Sequence, residues 1–163
     1  MHFGRTVGVV FPGEYGKRNF GKDARGTNKA FFTPDTNLIR SIDQKVFNQY
    51  CNAIETYWQK YLDGQTGDST HRSGKAAALA AKKYCTLWKE TFPFYDRQYV
   101  GYTTTSGERI IIIKFLDFRQ DPYQLKPSLA VSWIDGWHGW FYSNVVQLFY
   151  HVGSNTLTLE EGS

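Results

Sequence analysis

The stretch FPFYDRQYVGYTTTSGERIIIIKFLDF, residues Phe92 to Phe118, decides the fold class because it predicts a β-hairpin. Its first run, Tyr95 to Thr104, is rich in Tyr, Val and Thr, and its second run, Glu108 to Leu116, contains four consecutive isoleucines. Ser106 and Gly107 separate the two runs and are typical of a turn. We therefore expect two antiparallel strands in the centre of a curled sheet.

Two helices are predicted before the hairpin. Thr33-Pro34 supplies an N-cap and a proline at the first helical position, and apolar residues then recur every three or four positions from Leu38 to Tyr61. Gly64 is expected to end this helix. An alanine-rich segment from Gly74 to Glu90 predicts a second helix, which Pro93 ends.

The segment after the hairpin predicts further strands. Leu129 to Ile134 is rich in β-branched and aromatic residues, Asp135-Gly136 is a tight-turn dipeptide, and Trp140 to Val152 and Thr156 to Leu159 have strand composition. Helices followed by strands indicate an α+β fold. The predicted architecture is a long N-terminal helix and a second helix packed on a curled antiparallel sheet of about four strands.

The composition is that of one folded domain. The chain has 163 residues, of which 17% are aromatic, and a formal net charge of +4. This length suffices for one buried core and is short for two domains. The mean hydropathy is −0.48, and no apolar run approaches the roughly 18 residues that cross a bilayer, so no membrane span is predicted.

Residues 1 to 30 are predicted to form a glycine-rich, basic arm outside the single domain of residues 31 to 163. Val7 to Phe11 reads as an edge strand, and Pro12 to Lys29 reads as an irregular loop. Gly16 to Asp23 nearly matches a phosphate-binding loop, but an Asp stands where that motif needs Ser or Thr. No nucleotide and no other cofactor is therefore predicted.

The arm also carries a cluster of cations that raises nucleic-acid binding as an alternative. Five basic residues suffice for salt-sensitive contacts with phosphates. The net charge is mild and the other basic residues are mixed with acidic ones, so a nucleic-acid partner is disfavoured. The residues of this basic arm are Lys17, Arg18, Lys22, Arg25 and Lys29.

Cys51 and Cys85 lie in the two predicted helices. Zinc sites need Cys and His residues clustered at short intervals, and these two cysteines are not, so no metal site is predicted. Two readings stay open: a pair of buried thiols, or a disulfide between the helices. A disulfide requires an oxidising compartment. Because the sequence begins without the apolar core of a signal peptide, we expect a cytoplasmic protein, or an exported one if a signal peptide has been removed.

A group of aromatic residues, most of them between Trp133 and Tyr142, favours a non-enzymatic binding or assembly module. Side chains alternate between the two faces of a strand, so some of these aromatics are expected to face away from the core and to contact another protein, including a second copy of this chain. The predicted binding residues are Trp133, Trp137, His138, Trp140, Tyr142, Tyr99 and Tyr102.

An enzymatic or small-molecule-binding pocket is the alternative. A curved sheet that faces a helix can enclose a pocket with a carboxylate or histidine as general base. Candidates are Asp117, Asp135 and His138, with Tyr99 or Tyr102 as a hydrogen-bond donor. Asp135 also has a structural explanation, because Asp before Gly bonds its own turn backbone. No catalytic residue is assigned.

Several of these segments together resemble a known group of proteins. Phe32-Thr-Pro34, the run Tyr95 to Tyr102, the run Gly107 to Ile112, and Asp135-Gly136 followed by Trp140-Phe-Tyr142 carry the resemblance. The chain resembles small, mostly uncharacterised bacterial proteins with a cystatin-like or nuclear-transport-factor-like cone fold, over Phe31 to Gly162. The resemblance implies this fold and, in many members, an exported location, but no established activity.

A cystatin-like fold raises inhibition of cysteine proteases as a further alternative. Such inhibitors present a Gln-x-Val-x-Gly loop at a hairpin tip. The nearest match here, Gln98-Tyr-Val100-Gly101, is one residue too short and is predicted to lie within a strand. Inhibition is therefore disfavoured.

Overall fold

The structure, a computed structural model, describes residues 2–3, 6–20, 29–66, 71–136 and 139–160. These residues form an α+β fold with four α-helices and one open, mixed sheet. Two short 3-10 turns cover Phe92–Phe94 and Lys126–Ser128. The elements are β1 (His2–Phe3), β2 (Thr6–Val10), α1 (Gly13–Phe20), β3 (Ala30–Phe32), α2 (Thr36–Thr66), α3 (His71–Thr91), β4 (Tyr95–Thr103), β5 (Arg109–Asp117), α4 (Trp140–Asn144), β6 (Val145–His151) and β7 (Thr156–Thr158).

The sheet has more strands than predicted and is not purely antiparallel. Its strand order is β1-β2-β4-β5-β6-β7, and β3 also pairs with β4. Strands β4 to β7 form an antiparallel meander, whereas β2 runs parallel to β4. The N-terminal residues therefore extend a four-stranded meander into a mixed sheet.

The predicted hairpin is confirmed as β4 and β5. Gly107 has a φ of +85°, which a residue with a Cβ rarely adopts, and its N–H donates to the carbonyl of Thr104 over 3.0 Å. The side-chain oxygen of Thr104 accepts a hydrogen bond from the N–H of Glu108. Local turn chemistry thus fixes the register of the two central strands.

The long helix α2 differs from the prediction at both ends. Its N-cap is Asp35, whose carboxylate accepts a hydrogen bond from the N–H of Leu38 over 2.9 Å. Thr33 instead accepts from the N–H of Gly13 and holds the start of α1. The helix continues past Gly64 to Thr66, because a single glycine costs only about 1 kcal/mol in a helix. Within the described residues, no helix is both long and apolar enough to cross a membrane.

The main core lies between one face of the sheet and the helical hairpin α2–α3. The apolar stripe of α2, with Ile42 and Val46 fully buried, packs against Ile111 and Ile113 of β5. Trp88 of α3 fills the space between the helices and the sheet. The isoleucine run therefore alternates between this core and the opposite face of the sheet.

The opposite face of the sheet is covered by irregular chain, where a strand was predicted. Leu129 and Ile134 pack on Leu116 in a second apolar cluster, but residues 129–134 form turns and coil. The side chain of Gln98 explains this difference. Its Nε2 donates to the carbonyls of Leu129 and Ser132 over 2.8 and 2.7 Å, and its Oε1 accepts from the N–H of Ile134 over 2.9 Å. These backbone groups are satisfied by a side chain, so they do not need a neighbouring strand.

Three further expectations about secondary structure are corrected. Gly13–Phe20 is helix α1 where an irregular loop was predicted, and β2 lies between β1 and β4, not at an edge. Phe11 is buried, so this part of the arm packs with the rest of the fold. Trp140–Asn144 forms the short helix α4, and the predicted strand begins only at Val145.

The two helices of the hairpin are joined by a disulfide. Cys51 of α2 and Cys85 of α3 are bonded, with their Cα atoms 5.0 Å apart and a sequence separation of 34. The bond therefore fixes one helix against the other midway along the hairpin. It also closes a loop that contains all of the connection between the two helices.

We expect the double variant Cys51→Ala, Cys85→Ala to lose about 4 kcal/mol of unfolding free energy, because a loop of this length loses that much closure entropy when it is cross-linked. Urea unfolding of the wild type with and without dithiothreitol, and of the variant, measures this. The variant should be insensitive to dithiothreitol. A difference below about 1 kcal/mol would contradict a stabilising disulfide.

Candidate functional site

Three of the aromatic residues predicted to form a binding face are buried in the fold. Tyr99 packs in the main core, Tyr102 lies in a small cluster on the opposite face, and Trp140 packs against Phe118. All three are almost inaccessible to solvent. The predicted aromatic sheet face is not formed by these residues, because Tyr99 lies on the face that the helices cover, Tyr102 packs against β3, and Trp140 lies on α4.

The other residues predicted to bind are not brought together at one site. Trp133 is half-buried and lies in edge-on contact with Phe11 and Phe20 of the N-terminal region. Tyr142 on α4 is 77% exposed. Trp137 and His138 lie outside the described residues.

The predicted acidic candidates are held in ion pairs. Asp135 is 74% exposed, and its carboxylate accepts a hydrogen bond from Nζ of Lys114 over 2.9 Å and another from the N–H of Gly136. Asp117 is buried and pairs with Arg119. The structure therefore gives each of these carboxylates a cationic partner.

The basic arm is described only in part. Lys17 and Arg18 are exposed on α1. Nζ of Lys29 lies 4.4 Å from the centre of the Tyr102 ring. Lys22 and Arg25 lie outside the described residues. In the described part of the chain, no group of three or more His, Cys, Asp or Glu side chains could hold a metal ion.

A groove lined by aromatic rings, here called the aromatic groove, runs between the helical hairpin and the β6 side of the sheet. Its volume is about 590 Å³, which lies in the usual range of ligand pockets. Side chains of α2, α3, α4 and β6 contribute to it. Seven of its side chains are aromatic: Tyr50, Tyr57, Trp58, Tyr84, Trp88, Tyr95 and Tyr142.

The floor and one wall of the groove are made of packed rings. Tyr50 and Trp88 stack with their centres 4.2 Å apart, and Trp58 and Tyr84 stack across the two helices at 5.9 Å. Tyr50 directly precedes Cys51, and Tyr84 directly precedes Cys85, the two cysteines that form the disulfide. The cross-link therefore holds together the two helices that supply most of the groove.

The rim of the groove is unusually apolar for a solvent-exposed surface. Eight large apolar side chains are exposed among the described residues. Tyr84, Leu87 and Tyr142 line the groove, and Tyr61 contacts the Trp58 ring edge-on. Half of the exposed large apolar side chains thus gather at one place, whereas scattered single residues would need no explanation.

The polar groups at the floor of the groove are uncharged tyrosine hydroxyls and an indole N–H. Burial raises the pKa of Tyr50 and of Tyr95 above the usual value of 10.0, so both hydroxyls stay protonated at neutral pH. The indole N–H of Trp58 is buried and has no hydrogen-bond partner among the described residues. Lys83, Gln147 and Glu160 supply polar groups elsewhere along the lining.

Most of the groove was missed by the sequence analysis. Of its residues only Tyr142 was predicted to bind, because Tyr50, Trp58 and the other helical aromatics were interpreted as core. A usable signal was present: Tyr57 and Trp58 are adjacent, so one stripe of a helix cannot bury both in the same direction. Leu87 and Trp88 repeat this pattern on α3.

Comparison of the chain with family models, with curated proteins and with solved structures finds no match. The resemblance to cystatin-like bacterial proteins therefore stays a prediction.

The Lys114–Asp135 pair gives a test of whether Lys114 is buried as a charged group. Burial lowers the pKa of Lys114, which is 1% exposed, below its usual value of 10.5, and the bond to Asp135 only partly offsets this. At pH values between the lowered pKa of folded Lys114 and 10.5, the unfolded chain binds more protons at this lysine than the folded chain does. The unfolding free energy therefore rises with pH in this range.

We expect the unfolding free energy of the wild type to increase relative to that of Lys114→Met between neutral pH and the pKa of a free lysine, because the variant lacks the buried ammonium. Urea unfolding of both proteins at several pH values measures the difference. Lys60→Met, which removes an exposed lysine, should run parallel to the wild type. A constant difference between the wild type and Lys114→Met would contradict the burial of a charged Lys114.

Proposed function

We propose that this protein is a non-enzymatic binding module whose ligand group occupies the aromatic groove. The observation that carries the proposal is the gathering of exposed apolar side chains at a concave site. Leu87 is 44% exposed and Tyr142 is 77% exposed, and both line the same groove. Large exposed apolar surface of this kind usually marks a binding site.

The lining favours an uncharged aromatic or aliphatic group. Rings stacked along the groove offer flat apolar faces, and tyrosines combine large contact area with small loss of side-chain entropy. A charged group would lose its hydration there without gaining a buried counter-ion at the floor. The ligand group can belong to a free small molecule or to a side chain of a protein, including a second copy of this chain.

We also propose a cystatin-like relationship and an exported location. A cystatin-like relationship is supported by α2 packed across the antiparallel meander β4–β7, although the parallel strand β2 adds to that pattern. An exported location is supported by the Cys51–Cys85 disulfide, because disulfides persist in oxidising compartments.

The test is a fluorescence titration with N-phenyl-1-naphthylamine, an uncharged aromatic probe. We expect saturable binding to the wild type, and about fivefold weaker binding to Leu87→Ser, because the variant loses about 1 kcal/mol of apolar contact with the probe. Tyr142→Ser should weaken binding in the same direction.

The matched control is Leu79→Ser, which changes a leucine of the same helix that is 74% exposed and does not line the groove. It should bind the probe like the wild type. Equal probe binding by Leu87→Ser and Leu79→Ser, or no saturable binding by the wild type, would rule out the groove as the site.

Sedimentation velocity distinguishes the two sources of the ligand group. If a second copy fills the groove, the wild type self-associates as its concentration rises, and Leu87→Ser remains monomeric. If a free small molecule is the ligand, the wild type stays monomeric throughout and p-cresol displaces the probe.

A further inference from the structure

A second cavity, here called the charged cavity, lies at the end of the sheet where β2, β4 and the 3-10 turn Phe92–Phe94 meet. Its volume is about 710 Å³, and it shares no lining residue with the aromatic groove. Three cationic side chains and two carboxylates line it. It therefore differs from the aromatic groove in both place and chemistry.

A buried arginine fixes one wall of the charged cavity. Arg97 is 2% exposed, and its Nε donates to Oδ1 of Asp43 over 2.9 Å. Its Nη1 donates to the hydroxyl of Thr6 over 3.0 Å, and its guanidinium lies 4.8 Å from the centre of the Phe92 ring. A guanidinium held from three sides is pre-organised, so the carboxylate beside it is also held in place.

Asp43 offers an acceptor that its neighbours do not use. Its Oδ1 takes the bond from Arg97 and a long one, 3.5 Å, from the hydroxyl of Tyr99. Within the described residues, its Oδ2 accepts no hydrogen bond, and a carboxylate oxygen can accept two. Burial raises the pKa of Asp43, and Arg97 only partly offsets this, so a donor that bonds to the carboxylate would relieve some of the cost of burying it.

Two further cations line the cavity with donors to spare. Lys126 is exposed and pairs with the buried Asp96 over 3.1 Å, which occupies one of its three donors. Arg119 is exposed and pairs with the buried Asp117 through Nε and Nη2, which leaves its other N–H groups available. Both side chains therefore keep their charge at the surface and can bond to a second anion.

The remaining lining is aromatic. Phe92, Phe94 and Phe118 line the cavity, and Phe94 is largely exposed there. Arg119 lies over the Phe94 ring, with its guanidinium carbon 4.5 Å from the ring centre. An apolar body can thus lie against phenyl rings while its polar end reaches the charged groups.

We propose that the charged cavity binds a small organic anion that also carries a hydroxyl group and an apolar body, such as an aromatic hydroxy acid. Lys126 and Arg119 bind its carboxylate, Oδ2 of Asp43 accepts from its hydroxyl, and Phe94 and Phe118 contact its apolar body. The unused N–H groups of Lys126 and Arg119 favour an anion over a cation, because they can donate to a second carboxylate.

The test uses three probes that differ by one group each. The full chain is titrated by calorimetry with 3-phenyllactate, with 3-phenylpropionate, which lacks the hydroxyl, and with 3-phenyllactamide, which lacks the charge. We expect 3-phenyllactate to bind about tenfold more tightly than either of the others, because 3-phenylpropionate lacks the hydroxyl that bonds to Asp43, and 3-phenyllactamide lacks the charge that pairs with Lys126 and Arg119. Equal affinities for the three probes, or no saturable binding of any of them, would overturn the proposal.

Variants assign the two contacts separately. Lys126→Gln should weaken 3-phenyllactate and 3-phenylpropionate alike, and leave 3-phenyllactamide unchanged. Asp43→Asn keeps an oxygen for Arg97 but replaces the free acceptor, so it should remove the advantage of 3-phenyllactate over 3-phenylpropionate. The matched control is Lys60→Gln, which removes an exposed, ion-paired lysine that does not line the cavity and should bind like the wild type.

Circular dichroism checks that each variant is folded. If Asp43→Asn does not fold, Lys126→Gln and the three probes still decide the question. Binding of 3-phenyllactate that is unchanged in folded Lys126→Gln would also overturn the proposal, as would an equal loss in Lys60→Gln.

Discussion

Three consecutive polar side chains of β4, Asp96, Arg97 and Gln98, are buried, and the packing around the sheet depends on them. Asp96 accepts a hydrogen bond from the backbone of β2, Arg97 pairs with a carboxylate of α2, and Gln98 holds the irregular chain from Leu129 to Ile134. A buried polar group without a partner costs about 1 to 3 kcal/mol. The triplet therefore restricts three segments, distant in sequence, to one arrangement around the central strand.

The arrangement of these segments around β4 also determines where the two candidate sites lie. On one face of the sheet, the helical hairpin packs over Ile111 and Ile113, and its disulfide keeps α2 and α3 together above the aromatic groove. At the end of β4, Arg97 holds Asp43 at the wall of the charged cavity. Seven aromatic side chains line the first site and five charged side chains line the second, so the two are expected to select different ligands.

The parts of the fold that depend on local sequence were predictable, and the parts that depend on distant partners were not. The hairpin and both long helices follow from turn residues and from periodicity. Leu129 to Ile134 has strand composition, but Gln98, some thirty residues earlier, satisfies its backbone. Tyr102 was predicted to bind, yet it is buried because it packs against Phe31 of β3. Asp43 sits beside the apolar stripe of α2, and only the fold brings it to Arg97.

The most direct test of the central role of the triplet is amide hydrogen exchange, measured by NMR, in Gln98→Leu. This change removes all three hydrogen bonds to the covering chain and introduces an apolar side chain of similar size. We expect the N–H of Ile134 and its neighbours to lose protection while the amides of β5 keep theirs, and Gln147→Leu, an exposed glutamine of β6, to change neither. Unchanged protection at Ile134 in folded Gln98→Leu would contradict the account.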